Sequence, residues 1–170
     1  MWSAACSSGE EPYSIAMALD DYFTAHPCAW ARQIEATDIS TRILAKAQAA
    51  IYPAETVSRL GPAKTKAYFQ TGYGDQEGYY RVRPALRSQV RFNRLNLLEG
   101  QPPFTEPMQI IFCRNVMIYF DRPTQEELVN RLKAWLVPGG YLLVGHSESL
   151  TGIPHGLTMI RPATYQKPLR

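Results

Sequence analysis

The sequence predicts an α/β fold built on a mostly parallel sheet, and three observations carry that prediction. Two short apolar runs, Ile110–Cys113 and Tyr141–Val144, read as strands buried on both faces. Helix-forming segments separate the strands: Tyr13–Phe23, Thr41–Ile51 and the amphipathic Thr124–Leu136, where Leu128, Leu132, Trp135 and Leu136 share a face. Finally, a small-residue turn, Ser7-Ser8-Gly9-Glu10-Glu11-Pro12, joins an apolar opening stretch to the first helix.

Composition fits one domain. A chain of 170 residues is long enough for a real core, and 45% hydrophobic with 19% charged residues is ordinary for a globular protein. The net charge of +3 allows an acidic partner without requiring one. There is no apolar run of membrane length and no signal-peptide pattern, and the expected location is the cytoplasm. Cys6, Cys28 and Cys113 are odd in number and unclustered, which suggests a reducing compartment, with Cys6 and Cys113 buried. No Cys/His spacing supports a metal.

The opening Met1–Cys6 reads as the tail of a strand, so the whole protein is expected to carry residues before it. Glu10 and Glu11 open the first helix and complement its dipole, and Pro12 fits its first turn. Two carboxylates there argue against a phosphate ligand and suit a cationic or hydroxyl-bearing one; plain helix capping is the alternative. Trp30–Ile39 reads as the second strand, ending at Asp38, with Ser40 capping the next helix. An acid at that strand end commonly accepts hydrogen bonds from ribose hydroxyls, although Asp38 could equally help to start the helix.

Pro53–Ser88 reads as an insertion with two short helices, Glu55–Leu60 and Ala63–Phe69, split by Gly61-Pro62. A turn-rich loop follows, and then Tyr79–Arg83, which alternates like a strand and is expected at a sheet edge. Val90–Leu97 returns to the main sheet. Arg81, Arg83, Arg87, Arg91 and Arg94 lack an aromatic stacking stripe, so a solvated face is preferred over a nucleic-acid surface. Pro138-Gly139-Gly140 reads as a helix stop and turn. Gly145-His146-Ser147-Glu148-Ser149 half-resembles a nucleophile elbow, but its last glycine is missing and no acid partner follows in triad order, which rejects a hydrolase.

Ligands of open α/β sheets bind outside the carboxyl ends of strands. Arg114, Asn115 and Tyr119 cluster just past the Ile110–Cys113 strand, and Asn96 stands at the same rim. That bunching reads as a site; a surface arginine and a core tyrosine are the alternative.

Several blocks together resemble one family. Trp2–Ser14, Asp38-Ile39-Ser40, Asn96-Leu97-Leu98, Phe112–Phe120 and Gly145–Ser149 are similar, in the same order, to motifs of the chemotaxis receptor methyltransferases, the CheR family. The likeness covers essentially the whole chain and points to the family's C-terminal domain that binds S-adenosylmethionine (SAM). It implies a class I SAM-dependent methyltransferase fold: a mostly parallel sheet with one antiparallel strand and a small inserted β subdomain, here 53–88. It implies cofactor contacts at Glu11, Asp38, Asn96, Leu97, Cys113 and Arg114, and places Tyr119 with Arg114 at the reaction centre. No metal is implied. The family's N-terminal helical domain, which adds cofactor contacts and an arginine, is not among these residues.

The implied activity is esterification of glutamate side chains on bacterial chemoreceptors, leaving S-adenosylhomocysteine (SAH). A glutamate with pKa about 4.3 is already an anionic nucleophile at neutral pH, so no general base is needed. The implied partner is the receptor's cytoplasmic domain, and in some members its C-terminal tail, here through the 72–83 β element. The alternatives are a methyltransferase for a small molecule or RNA, and a non-catalytic SAM- or SAH-binding module.

Overall fold

The computed structural model describes residues 1–29 and 32–169 of the chain. In chain order the strands are β1 (Trp2–Ser3), β2 (Ile34–Asp38), β3 (Ile51–Pro53), β4 (Phe69–Thr71), β5 (Tyr79–Val82), β6 (Val90–Arg94), β7 (Met108–Cys113), β8 (Leu136–Val144), β9 (Thr158–Arg161) and β10 (Thr164–Gln166). The helices are α1 (Glu10–Ala25), α2 (Thr41–Ala49), α3 (Ala54–Ser58), α4 (Pro62–Tyr68), α5 (Pro84–Arg87) and α6 (Arg122–Ala134). The chain divides into two compact units. One is drawn from Met1–Ala5, Thr37–Ile39 and the chain from Asn93, the other from Cys6–Ala36 and Ser40–Phe92.

The larger sheet has the order β6-β2-β1-β7-β8-β10-β9. β1, β7 and β8 are parallel, while β10 pairs antiparallel with both β8 and β9. β10 is therefore reversed relative to β8, as the family resemblance implies. The Ile34 N–H bonds to Gln89 and the Leu95 N–H to Asp38, so β2 and β6 also run in the same sense. β2 begins at Ile34; Trp30 and Ala31, which the sequence reading joins to this strand, lie outside the described residues.

The first unit packs around β7. Ile111 and Cys113 are fully buried, and Leu128, Val129 and Leu132 of α6 join Trp2, Leu136 and Leu142 in one apolar cluster. Asp121 caps α6 by accepting the Thr124 N–H at 3.0 Å, which fixes where the helix starts. α6 stops at Ala134, ahead of Pro138-Gly139-Gly140. Those three residues do not turn the chain, as the sequence suggests; they form a bulge inside β8. Met108 faces Leu136 and Ile110 faces Tyr141, so the pairing skips residues on β8. Lys167 holds the bulge with main-chain bonds to Gly139 and Gly140.

In the second unit, Ser40 caps α2 as expected by accepting the Ile43 N–H. The small sheet differs from expectation. It has three antiparallel strands in the order β3-β5-β4, so Tyr79–Val82 is the central strand and not an edge. β3 also begins ahead of Pro53, at Ile51. The reason is length: β3 and β4 are three residues each, too short for alternation to show, and each abuts a helix that absorbs it in the sequence reading. Pro53 is compatible with an edge strand because that side needs no ladder donor. Cys6 and Cys113 are buried, and Cys28 is exposed.

A buried hydrogen-bond chain ties β1 to the end of β2. The Trp2 indole N–H donates to the Thr37 hydroxyl at 2.9 Å, and that hydroxyl donates to the Ala4 carbonyl at 3.0 Å. Thr37→Val keeps the shape and strands the indole N–H. It is expected to cost about 1–3 kcal/mol, the scale for a buried unpaired donor. Urea denaturation with an unchanged midpoint would contradict this.

Candidate functional site

The carboxyl end of β7 is the best-built feature of the first unit. The strand ends at Cys113, fully buried, and the chain then leaves the sheet through Arg114 and Asn115, both exposed. Asn115 has φ 60, a left-handed conformation that asparagine tolerates better than most residues. Val116 follows at φ −116, ψ −44, and Met117–Tyr119 make one turn of 3-10 helix. Alternating left- and right-handed residues aim successive N–H groups at one point, forming a nest for an anion.

The anion is the Glu148 carboxylate. One oxygen accepts the Val116 and Met117 N–H groups at 2.8 Å each, and the other accepts Asn115 N–H at 2.9 Å and also Gly145 N–H. Glu148 is only 7% exposed. Burying a carboxylate is costly unless its lone pairs are occupied, and four main-chain donors occupy them here. Gly145 is required for the close approach: a Cβ there would lie 2.6 Å from the carboxylate and 3.1 Å from the Asn115 nitrogen. The carbonyl side of the turn is held as well. The Gln125 amide donates to the Met117 and Phe120 carbonyls at 2.9 Å each. Gripped from both sides, the turn presents Tyr119 to solvent, 79% exposed.

Asp38, Asn96 and Leu97 belong to the same unit and also stand at strand ends. Asp38 is the last residue of β2, and its carbonyl accepts the Leu95 N–H. The α2 N-cap is Ser40, two residues further on. Asn96 lies just beyond β6, where its amide donates to Glu99 at 2.9 Å and its carbonyl oxygen accepts the Leu98 N–H. Arg131 of α6 braces this loop from below through the Leu97 and Gly100 carbonyls at 2.9 and 2.7 Å.

Glu11 lies in the other unit, in the first turn of α1. The turn before it is tightly packed. Gly9 has φ 96, and a Cβ on it would meet the Tyr52 hydroxyl at 2.8 Å and Ala47 at 3.0 Å. The Tyr52 hydroxyl donates to the Ser8 carbonyl at 2.8 Å; burial raises its pKa, so it stays a donor. Ser8 donates to the Glu10 carboxylate, and Glu11 is the second acid of that turn.

Six of the seven residues expected at the site, Asp38, Asn96, Leu97, Cys113, Arg114 and Tyr119, thus fall in one unit at or just past strand ends. Sequence reasoning missed Glu148 and Gln125. Glu148 sits in the Gly145–Ser149 block, where attention to a serine nucleophile hides the acid. The usable signal was an acid three residues past a glycine at a strand end.

A family model described as CheR methyltransferase, SAM binding domain, matches residues 1–165. The chemotaxis protein methyltransferase of Escherichia coli (strain K12) is 44% identical over 165 residues, covering 97% of this chain and 57% of the relative. That of Borreliella burgdorferi is 42% identical over 167 residues, covering 98% of this chain and 58% of the relative. The chain therefore spans a little over half the length of these relatives. Among solved structures, the CcbJ methyltransferase from Streptomyces caelestis has a TM-score of 0.51 at 11% identity, covering 84% of this chain and 43% of that one. At that identity it supports the fold alone. With the match to 1–165 and identities above 40% over nearly its whole length, the chain belongs to the family of CheR methyltransferase SAM-binding domains.

Proposed function

We propose that the chain is the catalytic domain of a cytoplasmic chemoreceptor glutamate O-methyltransferase, with residues 53–88 as an inserted subdomain. The observation that carries this reading is the rim after β7. Arg114 and Tyr119 stand there on a turn fixed from both sides, inside a family match that spans 1–165.

The residues fit SAM. Its ribose hydroxyls need an acceptor, and the Asp38 carboxylate closes β2 in the position where such acids serve. Its α-ammonium group and its sulfonium are cationic, and a carboxylate such as Glu11, in the first turn of α1, suits a cation. Asn96, Leu97 and Cys113 complete the contacts at the strand ends. When bound, SAM supplies an electrophilic methyl group. Arg114 orients an anionic group and Tyr119 donates a hydrogen bond beside the acceptor. The acceptor carboxylate is already ionised at neutral pH, so these residues align and desolvate it without removing a proton.

We also propose that the small sheet docks an acidic receptor tail. Because β5 is central, the strand to which a peptide adds is the edge strand β4. A groove of about 750 Å³ lies beside it, lined in part by Lys66, Phe69, Thr71, Tyr80 and Arg83. Lys66 and Arg83 supply positive charge. Arg81 is not among the lining residues and bonds instead to the Ala49 carbonyl. Tethering raises the local receptor concentration and leaves the chemistry unchanged.

Three outcomes test this reading. Asp38→Ala is expected to weaken SAH binding by about 1–3 kcal/mol; unchanged calorimetric affinity contradicts its role. Joined to the family's helical domain, the chain is expected to form base-labile methyl esters on receptor fragments, and Tyr119→Phe to lower turnover more than SAM affinity. Base-stable products would favour another substrate, and binding without turnover a non-catalytic module. Replacing Lys66 and Arg83 with Ala is expected to abolish tail-peptide binding while SAH binding persists; no tail peptide binding the unaltered chain sinks the docking proposal.

A further inference from the structure

We infer that Glu148 is a positioning residue for the methyltransferase site: its carboxylate holds the 114–119 turn in the one conformation that delivers Arg114 and Tyr119 to the rim. The inference rests on the cofactor reading above. Glu148 points into the protein and is not offered as a group that touches substrate or cofactor. Its work is on the main chain.

Three observations carry it. First, only one side of the turn is packed: Val116, Met117 and Phe120 lie in or against the apolar core, while Arg114, Asn115, Ile118 and Tyr119 are exposed. The placement of the exposed residues therefore depends on main-chain hydrogen bonds as well as on that packing. Second, three successive N–H groups, Asn115 to Met117, end on the one carboxylate, which also takes the Gly145 N–H from the end of β8. The ends of β7 and β8 are thereby cross-linked through one side chain, beyond their ladder pairing of Cys113 with Val144. Third, Asn115 holds φ 60, a conformation that an exposed segment leaves readily unless something pays for it. The nest it creates is filled by the Glu148 carboxylate.

A glutamine at 148 keeps the size but offers one acceptor oxygen where two are used, and turns an NH2 group toward N–H donors. Glu148→Gln is thus expected to free part of the turn without emptying space. Gly145→Ala attacks the same clasp differently, because its Cβ collides with the carboxylate while the charge remains. It also serves if Glu148→Gln does not fold. Val129→Ala is the control: Val129 is buried in the α6 core and makes none of the clasp's hydrogen bonds, so its truncation is expected to lower stability alone.

The experiment is amide hydrogen exchange with SAH calorimetry on the same samples. In Glu148→Gln or Gly145→Ala, exchange at Asn115, Val116 and Met117 is expected to speed up at least about tenfold while the β7 amides stay protected. The SAH Kd is expected to rise about 10–100-fold, the scale for a misplaced contact group. Val129→Ala is expected to leave Kd within about twofold. Unchanged protection at 115–117 overturns the inference, and so does unchanged SAH affinity with the turn released. An equal affinity loss in Val129→Ala reduces Glu148 to a stability residue and also overturns it. If the unaltered chain binds no SAH, the cofactor reading falls and the positioning role falls with it.

Discussion

The rim after β7 depends on one buried carboxylate with four main-chain donors. Hydrogen bonds to a charged acceptor are worth about 1.5–3 kcal/mol each, and the cost of burying the charge is offset only when they are all made. That condition makes the Glu148 clasp close to all-or-none. Gly145 leaves room for it, Asn115 adopts the conformation that aims the donors, and Gln125 secures the opposite side of the turn. The consequence is an exposed tyrosine and arginine on a short loop whose main chain is hydrogen-bonded on both sides. A methyl transfer that needs alignment and no proton abstraction suits such a loop, because its demands are geometric.

The second unit solves a similar problem without a carboxylate. The turn into α1 is held by the Tyr52 hydroxyl on the Ser8 carbonyl and by the close approach of Gly9 to Ala47. Tyr13, also buried, donates to the Ala47 carbonyl at 3.0 Å, and burial pushes its pKa up to about 12. At neutral pH both phenols remain protonated donors. The first turn of α1, with Glu11, is thus anchored to α2 and β3 by groups whose state does not change across the physiological range.

Much of this was legible in the sequence. The apolar runs at Ile110–Cys113 and Tyr141–Val144 are long enough to identify as buried strands, and Ser40 marks a helix start. The strand-end placement of Asp38 and Arg114 was readable from where the apolar and alternating runs stop. What was not legible depends on distant pairing. β3 and β4 are too short to carry a period, so the central place of β5 could not be seen. The Pro138-Gly139-Gly140 bulge looks like a turn because its partner, Lys167, is far along the chain. Glu148 reaches back 33 residues to Asn115, a separation at which no local pattern connects an acid to the N–H groups it satisfies.

The central claim is that SAM binds over the carboxyl ends of β2, β6 and β7. The most direct measurement is backbone NMR of the chain titrated with SAH. The account predicts shifts concentrated at Asp38, Asn96–Leu97 and Cys113–Tyr119. Shifts confined to the three-stranded sheet, or no shifts at saturating SAH, would contradict it.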